Sequence, residues 1–314
     1  MTGLRRVFLT TGCGACLLTG CSNKLEDALP LAERNNHADP KTDSLYAKAL
    51  AADQAGKSEK AIKLYRTMAN TYPGSPKAST ARFRQATLLE HEGELLDAFD
   101  AYQQVIHRYQ STALYPEARD KQAIVAHKAS EGLIKNSFFG LKSRLESKTI
   151  VEMLEKVRDN APQSASAPKA QFTIGEVLEN RKKLLPAIAA YQKVVDDYPK
   201  SSLAPDSYYR IGHILLTSAA GGNQNQANLD RALHTFEDLR QSYPGTKRAA
   251  DAALKITEIK SRDIQRSFDI AEFYFKKRQN SSAAFYYQEV LSKTKGGALH
   301  NKAQQRLQLL GSGN

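Results

Sequence analysis

One short pattern governs what this chain can fold into. An alanine or its equivalent is followed four residues later by a tyrosine or other large apolar residue, and eight residues after that by a proline. It reads Ala61, Tyr65, Pro73; Ile150, Leu154, Pro162; Ala187, Tyr191, Pro199; and Ala232, Phe236, Pro244, with two copies that lack the proline at Ala98, Tyr102 and Ala283, Tyr287. Residues four apart share one face of a helix, so the small side chain admits a neighbouring helix and the large one fills the space beside it. Proline, which has no amide hydrogen, then ends the helix.

A second amphipathic segment lies upstream of each copy, often ending near a glycine such as Gly56 or Gly93. Small residues mark the expected close crossing at Ala49, Ala86, Gly175, Gly212 and Ala271. The segments therefore form helix pairs. Turns such as Tyr72-Pro73-Gly74-Ser75-Pro76 and Tyr198-Pro199-Lys200-Ser201 place a serine to cap the helix that follows. Successive copies stand 37, 52, 37, 45 and 51 residues apart, which with insertions is close to the roughly 34-residue tetratricopeptide period. The expected fold is all-α, a tetratricopeptide-repeat-like right-handed superhelical solenoid of about six helix pairs, each burying its apolar face on the next.

All three cysteines fall within the first 21 residues. The tetrad Leu18-Thr19-Gly20-Cys21 closes a leader with basic Arg5 and Arg6 and an apolar stretch, Val7 to Leu18, that is too short to span a bilayer. This is the layout of a bacterial lipoprotein signal. Residues 1–20 are read as a cleaved signal peptide, Cys21 as the lipid-attachment thiol, residues 21–43 as a lipidated N-terminus and flexible tether, and residues 44–314 as the repeat domain. Several acyl chains on one cysteine hold a protein to a membrane durably. Serine rather than aspartate after the lipidated cysteine favours the periplasmic face of the outer membrane. Arg5-Arg6-Val7-Phe8-Leu9 also resembles a twin-arginine export signal, so two export routes stay open. No cysteine follows Cys21, so stability rests on packing rather than on an internal disulfide.

Two segments break the regularity. Residues 221–228 form a polar loop, and residues 133–148 hold Ser137-Phe138-Phe139-Gly140, whose phenylalanines either plug the ends of flanking helices or form a docking site. Signs of reaction chemistry are missing: there is no glycine-rich phosphate loop, no nucleophile elbow and no histidine pair at metal-ligand spacing. Neither a catalytic residue nor a cofactor or metal is expected. The chain carries a net charge of +12, and residues 240–314 hold 14 Lys and Arg against 6 Asp and Glu. That basic end suits an acidic partner or anionic headgroups, or it is simply a solvated surface. Nucleic acid is not an expected partner of an exported protein.

The lipoprotein tetrad, the tandem Tyr-Pro-x-Ser turns, the Phe138-Phe139-Gly140 insertion and a C-terminal run through Arg262, Ile270-Ala271-Glu272-Phe273-Tyr274, Lys277-Arg278 and Ala283-Ala284 together resemble the BamD (YfiO) family. The resemblance implies an outer-membrane lipoprotein of the β-barrel assembly machinery, with the barrel-assembly subunit, other assembly lipoproteins and unfolded outer-membrane clients as partners. By repeat register, Tyr46, Asp53, Phe83, Glu90 and His91 are expected to face an extended client segment. Arg262, Arg266, Lys276, Lys277 and Arg278 are expected to dock the barrel subunit or another lipoprotein, with Phe138 and Phe139 as a further candidate contact. The chain departs from the family in carrying about one repeat more. It also has Tyr287 where members commonly show an arginine implicated in that docking. A structural repeat lipoprotein of cell division, peptidoglycan coordination or pilus assembly is the alternative reading.

Overall fold

The computed structural model describes residues 40–132, 136–138, 141–143, 145–220 and 226–311. Cys21 and the leader lie outside the described residues. Among the described residues thirteen α-helices follow one another: α1 (Pro40–Gln54), α2 (Ser58–Thr71), α3 (Ala78–Glu92), α4 (Leu95–Arg108), α5 (Tyr115–Ser130), α6 (Ser147–Asn160), α7 (Ser166–Asn180), α8 (Leu184–Asp197), α9 (Leu203–Ala220), α10 (Gln226–Ser242), α11 (Lys247–Lys276), α12 (Asn280–Lys293) and α13 (Ala298–Gly311). They make six pairs and a closing helix, and each packs chiefly on its sequence neighbours. This is the all-α repeat fold that the spacing predicts. The first helix starts at Pro40, ahead of the boundary drawn at residue 44, because proline is tolerated in a first helical turn.

The third pair is interrupted by a small antiparallel hairpin, β1 (Asn136–Phe138) on β2 (Leu141–Ser143), with Phe138 paired to Leu141. Phe139 and Gly140 lie outside the described residues.

The small and the large member of every copy fall on the second helix of a pair and point inward, and each proline follows just past that helix's end. Ala61, Tyr65, Ala98, Tyr102, Leu154, Ala187, Tyr191, Ala232, Phe236, Ala283 and Tyr287 have no accessible surface, and Ile150 is nearly as buried. The small residues of the first helices explain why such rings fit. A Cβ placed on Gly175 would lie 2.5 Å from Tyr191 Cε1, and one on Gly212 would lie 2.7 Å from Phe236 Cε1. No methyl group has room there. The core continues in this way from α1 to α13 in three contiguous clusters.

The turns differ from expectation in one detail. Ser75 Oγ accepts from Lys77 N (3.3 Å) and Ser201 Oγ from Leu203 N (3.2 Å). These serines therefore hold the turn ahead of the helix and are not its N-cap. The cause is the tight bend itself, in which Ser75 N donates to Tyr72 O and Ala78 N to Ser75 O. A side-chain cap does form at α11, where Thr246 Oγ1 accepts from Ala249 N.

Candidate functional site

The first helices of successive pairs present one shared face, and repeat register decides what stands on it. Three residues before the small crossing residue comes Tyr46, Phe83, Phe172, Tyr209 or Phe268. Each packs its ring against the aromatic of its own second helix: Tyr46 on Tyr65 (5.9 Å between centroids), Phe83 on Tyr102 (5.6 Å), Phe172 on Tyr191 (5.2 Å), Tyr209 on Phe236 (5.7 Å) and Phe268 on Tyr287 (5.8 Å). Tyr46 and Phe83 are thus half-buried, with an edge left on the shared face. The third pair has Asp120 and Leu154 at these places and no ring pair.

Four residues after the crossing residue, an acid receives the hydroxyl of the buried tyrosine. Tyr65 donates to Asp53 (3.2 Å), Tyr102 to Glu90 (3.1 Å) and Tyr191 to Glu179 (2.8 Å). A base from the next unit, 31 residues after the acid in sequence, closes the set. Arg84 grips Asp53 through Nε (2.6 Å) and Nη2 (2.9 Å), Lys121 stands 3.9 Å from Glu90, and Arg210 stands 3.6 Å from Glu179. Lys128 adds a 2.7 Å contact to Glu90. At the C-terminal end Glu272 plays the same part, accepting from Tyr287 (2.5 Å) and from Arg306 Nε (2.8 Å). A tyrosine–acid–base chain therefore ties neighbouring units across the shared face.

Electrostatics follow from this geometry. The hydrogen bond from Arg84 holds the Asp53 carboxyl below the usual carboxylate range against the opposing effect of burial. Burial pushes the Tyr65, Tyr102, Tyr191 and Tyr287 hydroxyls up, and the acids beside them add to it. In the third unit His127 takes the acid's place. Its Nδ1 lies 3.3 Å from Thr173 Oγ1, and burial, with Lys169 nearby, lowers its pKa to about 4, so it is neutral.

Of the sequence-predicted client contacts, Asp53 and Glu90 are thus already engaged within the fold, while His91 is exposed. Register adds residues that sequence reading missed. The position after the crossing residue is Leu50 in the first unit, Thr87 in the second and Ile124 in the third, at intervals of 37. Leu50 is 39% and Ile124 45% exposed, with Thr87 half-buried between them. Exposed aliphatic side chains in helix positions of fixed period were the available signal.

The predicted C-terminal residues are spread from the middle of α11 to the turn that follows it. Arg262 pairs with Glu258 (2.8 Å), Arg266 donates to Gln226 (2.6 Å), and Lys277 lies over the Phe273 ring. Lys276 is exposed, and Arg278 occupies the left-handed turn to α12 at φ 58°. Arg262 and Arg266, with Asp263 and Asp269 beside them, line a groove of about 920 Å³ together with Ile270, Phe273, Tyr274 and Tyr286, and Lys276, Lys277 and Arg278 are not part of that lining. Its wall is a ribbon of rings in which Tyr274 stacks on Tyr286 at 5.7 Å while Phe273 and Phe285 stay exposed. Tyr287, by contrast, is core and offers nothing to a partner.

Among the described residues, no three or more His, Cys, Asp or Glu side chains are grouped to hold a metal ion, and no helix is long and apolar enough to cross a membrane.

Comparison with known proteins bears on both halves of the chain. No curated protein matches. Solved structures that it resembles include a tetratricopeptide repeat protein from Parabacteroides merdae (13% identity over 87% of this chain and 99% of that one, TM-score 0.33) and the apo form of RapI (12% identity over 87% and 75%, TM-score 0.37). A third is YrrB, described as a tetratricopeptide protein with an unusual peptide-binding site (15% identity over 68% and 93%, TM-score 0.33). A tetratricopeptide-repeat family matches residues 46–113. The family described as outer membrane lipoprotein, YfiO, matches residues 141–310, from the hairpin through the aromatic ribbon to the closing helix. With more than half of its length matched there, the chain belongs to the YfiO family of outer membrane lipoproteins.

Proposed function

We propose that this protein is a lipid-anchored scaffold of outer-membrane β-barrel assembly, held to the periplasmic face of the outer membrane through Cys21 and working by protein–protein contact without catalysing a reaction. The row Leu50, Thr87 and Ile124 carries the reading. Three apolar or weakly polar side chains at equal repeat spacing, edged by Tyr46 and Phe83, suit an extended segment with alternating apolar side chains. Because Asp53 and Glu90 are held by Arg84, Lys121 and Lys128, their part is to fix the spacing of the row. Client contact then falls to the aliphatic row, the aromatic edges and exposed His91.

A second surface docks the barrel-assembly subunit or another lipoprotein. It is the C-terminal groove, where Arg262 and Arg266 share the lining with exposed Phe273 and Lys277 lies over that ring, with Lys276 and Arg278 on either side of Lys277 in the chain. Aromatic rings beside arginine and lysine are the composition of a protein-binding hot spot. Affinity purification of the tagged chain from detergent-solubilised membranes tests the reading. Co-purification of a membrane barrel bearing periplasmic domains is expected. Recovery of peptidoglycan enzymes or pilus components in its place overturns it.

A further inference from the structure

Helix α11 is 30 residues long, about twice the length of the other first helices, and its second helix covers only half of it. One heptad seam runs its length: Ala250, Leu254, Thr257, Ser261, Ile264, Phe268, Ala271, Phe275. The distal four residues pack in the core formed with α12 and α13. The proximal four are exposed, Leu254 to 72%. The boundary falls where α12 ends, since Lys293 in its last turn pairs with Asp263 (2.7 Å) and reaches Ser267 (3.2 Å).

Register shows what the open half lacks. Phe83, Phe172 and Tyr209 each stand ten residues after the turn proline or its equivalent, and each is covered by a tyrosine or phenylalanine of its own second helix. Leu254 stands ten residues after Pro244 and no second helix meets it. We infer that the proximal half of α11 is a docking seam for an amphipathic helix of a partner protein, laid in line with α12 and antiparallel to α11.

The seam continues an interface already formed inside the molecule, and this sets the ligand's chemistry. As in α2, α4, α8, α10 and α12, the incoming helix presents a small residue and an aromatic four places on. Along the rims Lys260 pairs with Glu237 (3.1 Å), but Lys255 and Arg262 share the single acid Glu258 (2.8 Å each), so acidic flanks suit the seam. The inference stands apart from the client row, and of the residues named for the seam only Arg262 also lines the C-terminal groove.

The test uses a hydrocarbon-stapled, fluorescein-labelled peptide of residues 184–198, whose Ala187 and Tyr191 face carries the required pair and whose end is acidic. Titrated with the full chain, it is expected to bind saturably, and Leu254→Asp is expected to weaken it at least tenfold. Leu185→Asp, at an equally exposed leucine on α8, leaves binding unchanged. Both variants keep the parental circular dichroism, as exposed positions should. Absence of binding, or equal binding to Leu254→Asp, overturns the inference. So does a wild-type dimer that Leu254→Asp dissolves, because the occupant is then a second copy.

Discussion

At the scale of single residues the fold depends on contacts with no slack. Gly175 touches the Tyr191 ring, and Tyr191 cannot retreat because its hydroxyl is bound to Glu179. Gly175→Ala is expected to lower stability by about 1–2 kcal/mol despite alanine's better helix propensity, read as a lower urea midpoint. Tyr287 explains why the family's arginine is absent here: it fills the core between α11 and α12 and donates to Glu272. Restoring the arginine as Tyr287→Arg is expected to cost about 3–5 kcal/mol by burying a guanidinium beside Arg306, and a far higher midpoint than that contradicts the core assignment. His127 supplies a pH signature. Its folded pKa of about 4 lies below the unfolded value near 6.5, so the unfolded chain binds more protons between them. The stabilisation is complete above pH 6.5 and is lost as pH falls toward 4, by at most about 3 kcal/mol. A His127→Gln variant is expected to show a shallower loss over that interval in parallel denaturation curves.

At the scale of elements the pairs were legible in sequence because their cause is local. A small residue, a ring four places on and a proline are each within one helix and its exit, and all six copies sit where the spacing puts them. The tyrosine–acid–base chain was not legible in the same way, since its members come from three helices. Its trace is nonetheless regular: Asp53, Glu90 and Glu179 each precede their tyrosine by 12 residues and their base by 31. The long α11 was hidden for a different reason, because a pattern that starts from each second helix cannot see where a first helix overruns. The turns within pairs carry another test. Gly56 and Gly93 take a left-handed conformation, and the equivalent residues of two later units are Lys182 and Arg278, at φ 60° and 58°. Replacing Lys182 with glycine is expected to stabilise the fourth unit by about 1 kcal/mol, seen as slower amide hydrogen exchange in α7 and α8.

At the scale of the whole molecule, the shared face of the first helices has two materials. Toward the N-terminal end it exposes Leu50 and Ile124, with half-buried Thr87 midway between them in sequence and charged residues neutralised beside them. Toward the C-terminal end it exposes rings and both charge signs around one groove. The bases there were visible in sequence from the charge count, but the ring ribbon beside them was not, because Tyr274 and Tyr286 meet only through helix pairing. A solenoid keeps such surfaces apart along one stack, as the proposed function requires of a chain that holds a client and a partner at once. The central claim is that the N-terminal row grips an extended client. Fluorescence anisotropy with a labelled peptide copying the final strand of an outer-membrane β-barrel protein tests it most directly. Saturable binding to the wild-type chain, weakened at least tenfold by Leu50→Asp with Ile124→Asp, is the predicted result; no binding, or the same affinity for both proteins, would contradict it.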